Sequence, residues 1–231
     1  MMPCALKKSI WLMVISIGLG LPLVIQSAIA QDGSSSGDLK FNYAFAALPA
    51  TGESPRLVSI ESTHQLNSGD RLKLYLEALS EAYFYLFHLD PGGVLSRLYP
   101  HNRQTARLAL HQKVVIPEGN QWLELDANTG MEKFYLIASP ERQDRLERLY
   151  EEYLSADAGS IKQQSAKKII DEIHRIRREN LSKSAERPVR IGGNFRGPKQ
   201  NHPQAFLDIA ELAATVTTNG TYSRSFTIDH R

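Results

Sequence analysis

Residues 82–89 (AYFYLFHL) are apolar on both of the faces that a strand presents. Successive strand side chains point to opposite sides of a sheet. This segment therefore has to be covered on both sides, and it predicts a central strand in a layered β fold. Residues 71–77 read differently: Leu72, Leu74 and Leu76 alternate with polar positions, the period of a half-buried strand. Residues 113–116 (KVVI) form a further strand stopped by Pro117. Turn residues separate these runs. Asp90, Pro91, Gly92 and Gly93 predict a turn that returns the chain through residues 94–99 as a hairpin. Residues 127–130 predict a second hairpin loop, between 121–126 and 131–138. Asn219-Gly220 gives the strongest hairpin signal, because both central residues of a type I′ turn need positive φ. Tyr222, Phe226 and Ile228 share one face of the last strand. Short strands at this spacing predict a mainly β, α+β chain: an antiparallel β-sandwich-like domain over residues 39–231.

The texture changes after residue 139. Ser139, Pro140 and Glu141 predict a helix start, with a capping hydroxyl, a proline at the first helical position and an acid at the positive dipole end. Leu146, Leu149, Tyr150, Tyr153 and Leu154 make one apolar stripe. Residues 156–159 break it. Ser160 and Gln163 have capping-box spacing, and Ile169, Ile170, Ile173 and Ile176 form a second stripe. The expectation is a helical hairpin over residues 140–183, inserted before the last strands. Residues 184–202 lack periodicity and read as a basic loop. Residues 203–213 fit a short helix or a strand.

The first thirty residues stand apart. Lys7 and Lys8 precede an uncharged apolar run, residues 10–25, and Ala28 and Ala30 supply the small-x-small pattern of a signal-peptidase site. Cleavage is expected between Ala30 and Gln31. The run is shorter than the roughly 20 residues a spanning helix needs, so a cleaved signal is favoured over an anchor. Cys4 precedes the run, where a lipid-attachment cysteine would follow it. Residues 31–38 read as a flexible polar leader. The chain's 27 Lys and Arg, less these two lysines, leave 25 against 25 Asp and Glu. A mature chain of zero net charge does not point to nucleic acid. It also has no cysteine for a disulfide, a thiol nucleophile or a thiolate metal site. The compartment expected is periplasmic or extracellular, with no integral membrane segment after cleavage.

An ordered set of short motifs runs through the β region: Ser68-Gly-Asp-Arg-Leu72, Ala82-Tyr-Phe-Tyr-Leu-Phe87, Asp90-Pro-Gly-Gly-Val94, Leu98-Tyr-Pro100, Ile116-Pro117, Gly130-Met-Glu132 and Leu136-Ile-Ala-Ser139. Over roughly residues 66–139 this set resembles the domain-of-unknown-function 4384 family of exported bacterial proteins. The resemblance implies an extracytoplasmic β-domain of the kind often joined to protease-like or kinase-like modules. It carries no established catalytic residues, so none is transferred.

Site chemistry is sparse at the level of sequence. The histidines form no His-x-His or His-x-x-x-His pair, so no metal site and no cofactor is expected. No Gly-x-Ser-x-Gly elbow marks a nucleophile. Glu151 and Glu152 read as solvated helix charge, and Gly192-Gly193 lacks the third glycine of a dinucleotide loop. Tyr83, Tyr85, Trp122 and Tyr135 read as sheet cover before they read as a stacking face. His88 and Asp90, close together at the end of one strand, are the candidates for a pocket. Residues 173–200 hold eight basic and two acidic residues, a net charge of +6, against −3 for residues 31–140. Arg187, Arg190, Arg196 and Lys199 are therefore candidate anion- or partner-binding residues, because the planar arginine fork matches carboxylates and phosphates. The function expected is a non-catalytic adaptor or binding protein of the cell envelope, with an envelope protein or cell-wall component as partner. The alternatives are an envelope hydrolase built around His88 and Asp90, or a polyanion-binding protein that uses the basic loop.

Overall fold

The computed structural model describes residues 38–51, 56–101, 105–180, 189–190 and 208–231. The predicted signal, the leader up to residue 37 and most of the basic loop lie outside the described residues, while Asp38, the last leader residue, begins the first strand. The strands are β1 (Asp38–Leu48), β2 (Val58–Ser59), β3 (Thr63–Leu66), β4 (Arg71–Ala78), β5 (Ala82–Leu89), β6 (Leu95–Tyr99), β7 (Arg107–Leu108), β8 (Lys113–Ile116), β9 (Leu123–Glu124) and β10 (Gly130–Ser139). Helices α1 (Asp144–Ser155) and α2 (Ser160–Asn180) follow, then β11 (Val189–Arg190), a short 3-10 helix (Ile209–Leu212), β12 (Ala214–Asn219) and β13 (Tyr222–His230).

Two sheets result. The first has the order β11-β12-β1-β4-β8, with β2 on β1 and β9 on β4. The second has the order β3-β13-β10-β5-β6, with β7 on β5. All pairings are antiparallel except β3 with β13. The chain is mainly β within an α+β fold, as the strand periodicities predicted.

Three layers of apolar contact hold it. Between the sheets, Phe41 and Phe45 of β1 and Leu72, Leu74 and Leu76 of β4 meet Phe84, Leu86, Phe134, Phe226 and Ile228 of the second sheet. The other face of β5 presents Tyr85 and Phe87 to Leu146, Tyr150, Tyr153, Ile169, Ile173 and Ile176 of the two helices. The run at 82–89 is thus covered on both sides because it lies between the sandwich core and the helical layer. On the outer face of the first sheet, Ala44, Ala46 and Tyr75 pack against Ile209. Residues 209–212 are a 3-10 turn capped by Asp208, whose Oδ1 accepts from the Ala210 N–H at 2.9 Å.

Four local expectations are corrected. Asn219-Gly220 does not close a hairpin, since β12 pairs with β1 and β13 pairs with β10. Gly220 has φ +97°, while Asn219 has no positive φ, so the turn carries the chain from one sheet to the other instead of reversing it within one. Residues 127–130 do the same. β9 pairs with β4 in the first sheet, and β10 enters the second. Gly130 is required there: its φ is +142°, and a Cβ would sit 2.8 Å from Pro91 Cβ. The Ser139-Pro140 helix start also fails. Ser139 is the buried last residue of β10, and its Oγ accepts from the Glu141 N–H at 3.2 Å. The cap of α1 is Gln143, with no side-chain bond of its own. Ser160 already lies within α2, where Gln163 N–H donates to Gly159 carbonyl at 3.1 Å, so it does not cap that helix. The hairpin at Asp90-Gly93 forms as expected, with β5 and β6 paired.

Candidate functional site

His88 lies on the sandwich side of β5, at the end of the core, and stacks on Phe134 with ring centroids 4.5 Å apart. Its Nε2 is 2.5 Å from Glu132 Oε2 on the neighbouring strand β10. The β10–β5 register places His88 opposite Phe134 and so puts Glu132 within reach. Glu132 is buried, and its other oxygen, Oε1, faces His230 Nδ1 at 3.5 Å. At that length the contact is electrostatic, and Nδ1 has no hydrogen-bond partner among the described residues. His230 is itself buried on β13, and its Nε2 is 3.1 Å from the Oγ of Ser68, which is exposed on the β3–β4 turn. The result is a row: Ser68, His230, Glu132, His88.

In side-chain type and order, the first three resemble a serine–histidine–carboxylate relay. The backbone around Ser68 does not complete one. Asn67 N–H donates to Asp70 Oδ2, Ser68 N–H to the Arg231 carbonyl, Gly69 N–H to the Leu125 carbonyl, and Asp70 N–H to the Asn67 carbonyl. Acyl transfer needs N–H donors aimed at the developing oxyanion, and every amide of residues 67–70 is already used. Buried Asp70 holds this turn, its Oδ1 also accepting from Ala50 N–H at 2.8 Å. The row thus ties the β3–β4 turn and the C-terminal strand to the sandwich.

Asp90, the other predicted pocket residue, is not in the row. Its Oδ1 accepts from the Val94 N–H at 2.7 Å and closes the β5–β6 turn. Of the basic-loop candidates, Arg190 is described only as part of β11, which pairs with β12. Arg187, Arg196 and Lys199 lie outside the described residues. Of the aromatic candidates, Tyr83, Tyr85 and Tyr135 share the helix-covered face of the second sheet and Trp122 does not. Tyr85 and Tyr135 are buried under the helices, whereas Trp122 lies on the first sheet beneath Lys73, whose Nζ is 4.6 Å from the ring centroid. Among the described residues, no group of three or more His, Asp or Glu side chains is arranged to hold a metal ion. No helix among them is long and apolar enough to cross a membrane.

A second arrangement lies where α1 crosses the edge of the second sheet. Tyr150 and Tyr153 of α1 turn their hydroxyls to edge strand β6, accepting from the Arg97 and Leu95 N–H groups at 3.2 Å each. These bonds cover part of an otherwise open edge. Tyr85 reaches α1 from β5. Its hydroxyl accepts from Gln143 N–H at 3.1 Å and donates to Glu147 Oε1 at 2.8 Å, so the strand supplies the bonding that the N-cap residue lacks. Burial pushes the Tyr85 hydroxyl well above its usual range. Burial also works to raise the Glu147 carboxyl, but hydrogen bonds from Arg142 and Tyr85 and the charges of Arg142 and Arg97 hold it lower than usual.

Between these elements lies a pocket of about 370 Å³, lined by Tyr83, Arg97, Arg107, Arg142, Glu147 and Glu151 among others. Arg107 is paired with Glu81, and Arg142 with Glu147 and Asp144. Arg97 is different. Its guanidinium carbon lies 4.4 Å from the centroid of the Tyr150 ring, and its buried Nε has no hydrogen-bond partner among the described residues. A larger depression, of about 460 Å³, runs along β8 and Tyr99, but its one lysine, Lys113, is paired with Glu77. We place the candidate binding site at the smaller pocket, because unmet bonding capacity is found there.

The sequence reading missed this pocket. Arg97 was one basic residue in a mildly acidic segment, and its tyrosine partner lies 53 positions away.

No curated protein matches this chain. The family model described as Domain of unknown function (DUF4384) matches residues 65–142, about a third of the chain. That span runs from β3 through β10 and takes in Ser68, His88, Arg97 and Glu132, while His230 and Glu151 come from beyond it. The match over residues 65–142 is thus to the same family, Domain of unknown function (DUF4384), that the ordered motifs of the β region resemble.

Proposed function

We propose that this chain is a non-catalytic binding module of the cell envelope, acting outside the cytoplasm on an envelope protein or cell-wall component through the pocket between α1 and β6. The observation that carries the proposal is Arg97. A buried N–H without an acceptor is destabilising by about 1–3 kcal/mol, and arginine offers a planar fork of donors suited to carboxylates. Its position at a pocket wall gives that bonding capacity a use once a ligand arrives.

The test uses tagged mature protein incubated with isolated envelope and sedimented. Three baits are compared: the unaltered chain, Arg97→Gln, and a chain with Arg187, Arg190, Arg196 and Lys199 changed to Ser. Retention lost with Arg97→Gln alone supports the pocket. Retention lost only with the fourfold variant, and weakening steeply with salt, favours the polyanion-binding alternative. Amino-terminal sequencing of the exported protein tests the signal, with Gln31 expected first.

The hydrolase alternative now rests on Ser68, His230 and Glu132 instead of His88 with Asp90. Its support is the 3.1 Å contact between Ser68 Oγ and His230 Nε2. The spent amides of residues 67–70 weigh against it. Labelling of the unaltered chain but not of Ser68→Ala by a fluorophosphonate would favour it over the binding module.

A further inference from the structure

We infer that the pocket beside α1 takes a small zwitterion of the amino-acid or short-peptide class, its carboxylate on Arg97 and its ammonium on Glu151. The inference rests on the pocket's being the binding site proposed above. Charge matching points to this ligand class. Of the three arginines at the wall, Arg107 and Arg142 are neutralised by Glu81, Glu147 and Asp144. Among the described residues Arg97 makes no ion pair within 4 Å and no side-chain hydrogen bond, and only its charge acts on Glu147. Of the two glutamates, Glu147 is engaged by Arg142 and Tyr85, whereas the Glu151 carboxylate is exposed and unpaired. One open cation and one open anion therefore remain in the same pocket, on a helix and the strand it crosses. A phosphate or other multiply charged anion would meet the carboxylates of Glu147 and Glu151 as well as the arginines, which disfavours it. A ligand with one carboxylate and one ammonium complements both open groups.

The remaining features suit a polar ligand of this size. About 370 Å³ lies near the lower end of the roughly 300–1,000 Å³ of small-ligand sites. Tyr150 supports one face of the Arg97 guanidinium, which leaves its edge for in-plane hydrogen bonds to a carboxylate. The main chain of Arg97 is pinned by the Tyr150 hydroxyl, so the fork is positioned before the ligand arrives.

The experiment follows the arginine Nε–H resonances of the full mature chain by NMR at constant ionic strength. The probes are glycine, glycylglycine, acetate and inorganic phosphate. The expected result is a saturable shift of the Arg97 resonance with glycine or glycylglycine, at an affinity several-fold above that for acetate. Glu151→Gln should bring the zwitterions down to the acetate level. The position-97 variants have no Nε–H there, so their binding is read from the backbone amide resonances of the pocket residues; Arg97→Gln should weaken every probe by about tenfold or more, the scale of a charge-assisted bidentate contact. Arg97→Lys, which keeps the charge but loses the fork, should fall between the two. Unchanged spectra elsewhere in these variants show that the fold is kept.

Tighter binding of phosphate than of either zwitterion overturns the ligand class but leaves the pocket as the site. Equal binding of acetate and the zwitterions, or a preference that survives Glu151→Gln, overturns the role of Glu151. If no probe moves the Arg97 resonance, both this inference and the pocket reading fall.

Discussion

Two of the polar groups in this molecule are finished differently. At the end of the sandwich core, Glu132 is set between His88 and His230, and His230 in turn meets Ser68. At the crossing of α1 and β6, Arg97 is laid on Tyr150 with its Nε unmet. The first group turns its polar atoms toward one another, with His230 Nδ1 near Glu132 but without a hydrogen bond, and joins strands that are distant in sequence. The second keeps donors in reserve at a pocket wall. Buried polar groups that satisfy one another specify structure, and those left open are where a ligand completes the bonding.

Removing one member of the closed group has the largest expected effect. Glu132→Ala leaves the ring nitrogens of His88 and His230 that face it without that partner, and the loss of stability in urea denaturation is expected at about 1–3 kcal/mol. A loss below about 1 kcal/mol would erase the contrast between the two groups.

The helical layer supplies the next test. Buried Glu172 of α2 binds Arg175 at 3.0 Å and meets Arg145 of α1, also at 3.0 Å. The hydrogen bonds from Arg175 lower its pKa most. Burial acts in the opposite sense, and the charges of Arg175 and Arg145 add to the lowering. A carboxylate held below its unfolded value stabilises the fold above that value. This share of stability is therefore present at neutral pH and disappears as pH falls below about 4.5 toward the folded-state pKa. Glu172→Gln should remove this acid dependence. It should also lower neutral stability by about 1–2 kcal/mol, a modest loss because both arginines reach solvent. Unfolding curves at pH 3, 5 and 7 measure both effects, and an unaltered acid limb would refute the assignment.

Tyr85→Phe removes a hydroxyl that serves both Gln143 N–H and Glu147. A loss of about 1–1.5 kcal/mol is expected, with faster amide exchange confined to the first turn of α1. The smallest effect belongs to the open group. Arg97→Met keeps an apolar stem against Tyr150 and removes the unmet donor, so stability should stay within about 0.5 kcal/mol or rise. A loss of more than 2 kcal/mol would place Arg97 with the structural group, beside Glu132.

Much of the fold was legible in the chain. The doubly apolar run at 82–89 implied cover on both faces, and both covers exist. The alternation at 71–77 located Leu72, Leu74 and Leu76 in the core, and the isoleucine stripe located the buried face of α2. The site was far less legible. His88 was singled out, but its partner was taken as Asp90, two residues on. The actual partner is Glu132, brought near by strand pairing across 44 positions. Arg97 carried no sequence signal, because its meaning depends on a tyrosine from a helix that crosses the strand.

Local pattern determined which segments are strands and which are helices, because periodicity, glycine and proline act within a few residues. The turn at Asp90-Gly93 also determined the β5–β6 pairing, and the tertiary structure decided how the other strands pair. Asn219-Gly220 and residues 127–130 both read as hairpin turns, yet each passes the chain between sheets. A short turn can either reverse a strand beside itself or lead it across the core. The choice depends on where the apolar faces of the flanking strands are buried. Phe134, Phe226 and Ile228 find their cover against β1 and β4, so β10 and β13 pair with each other across the second sheet. The same long-range pairing set Glu132 between two histidines and left Arg97 open beside α1.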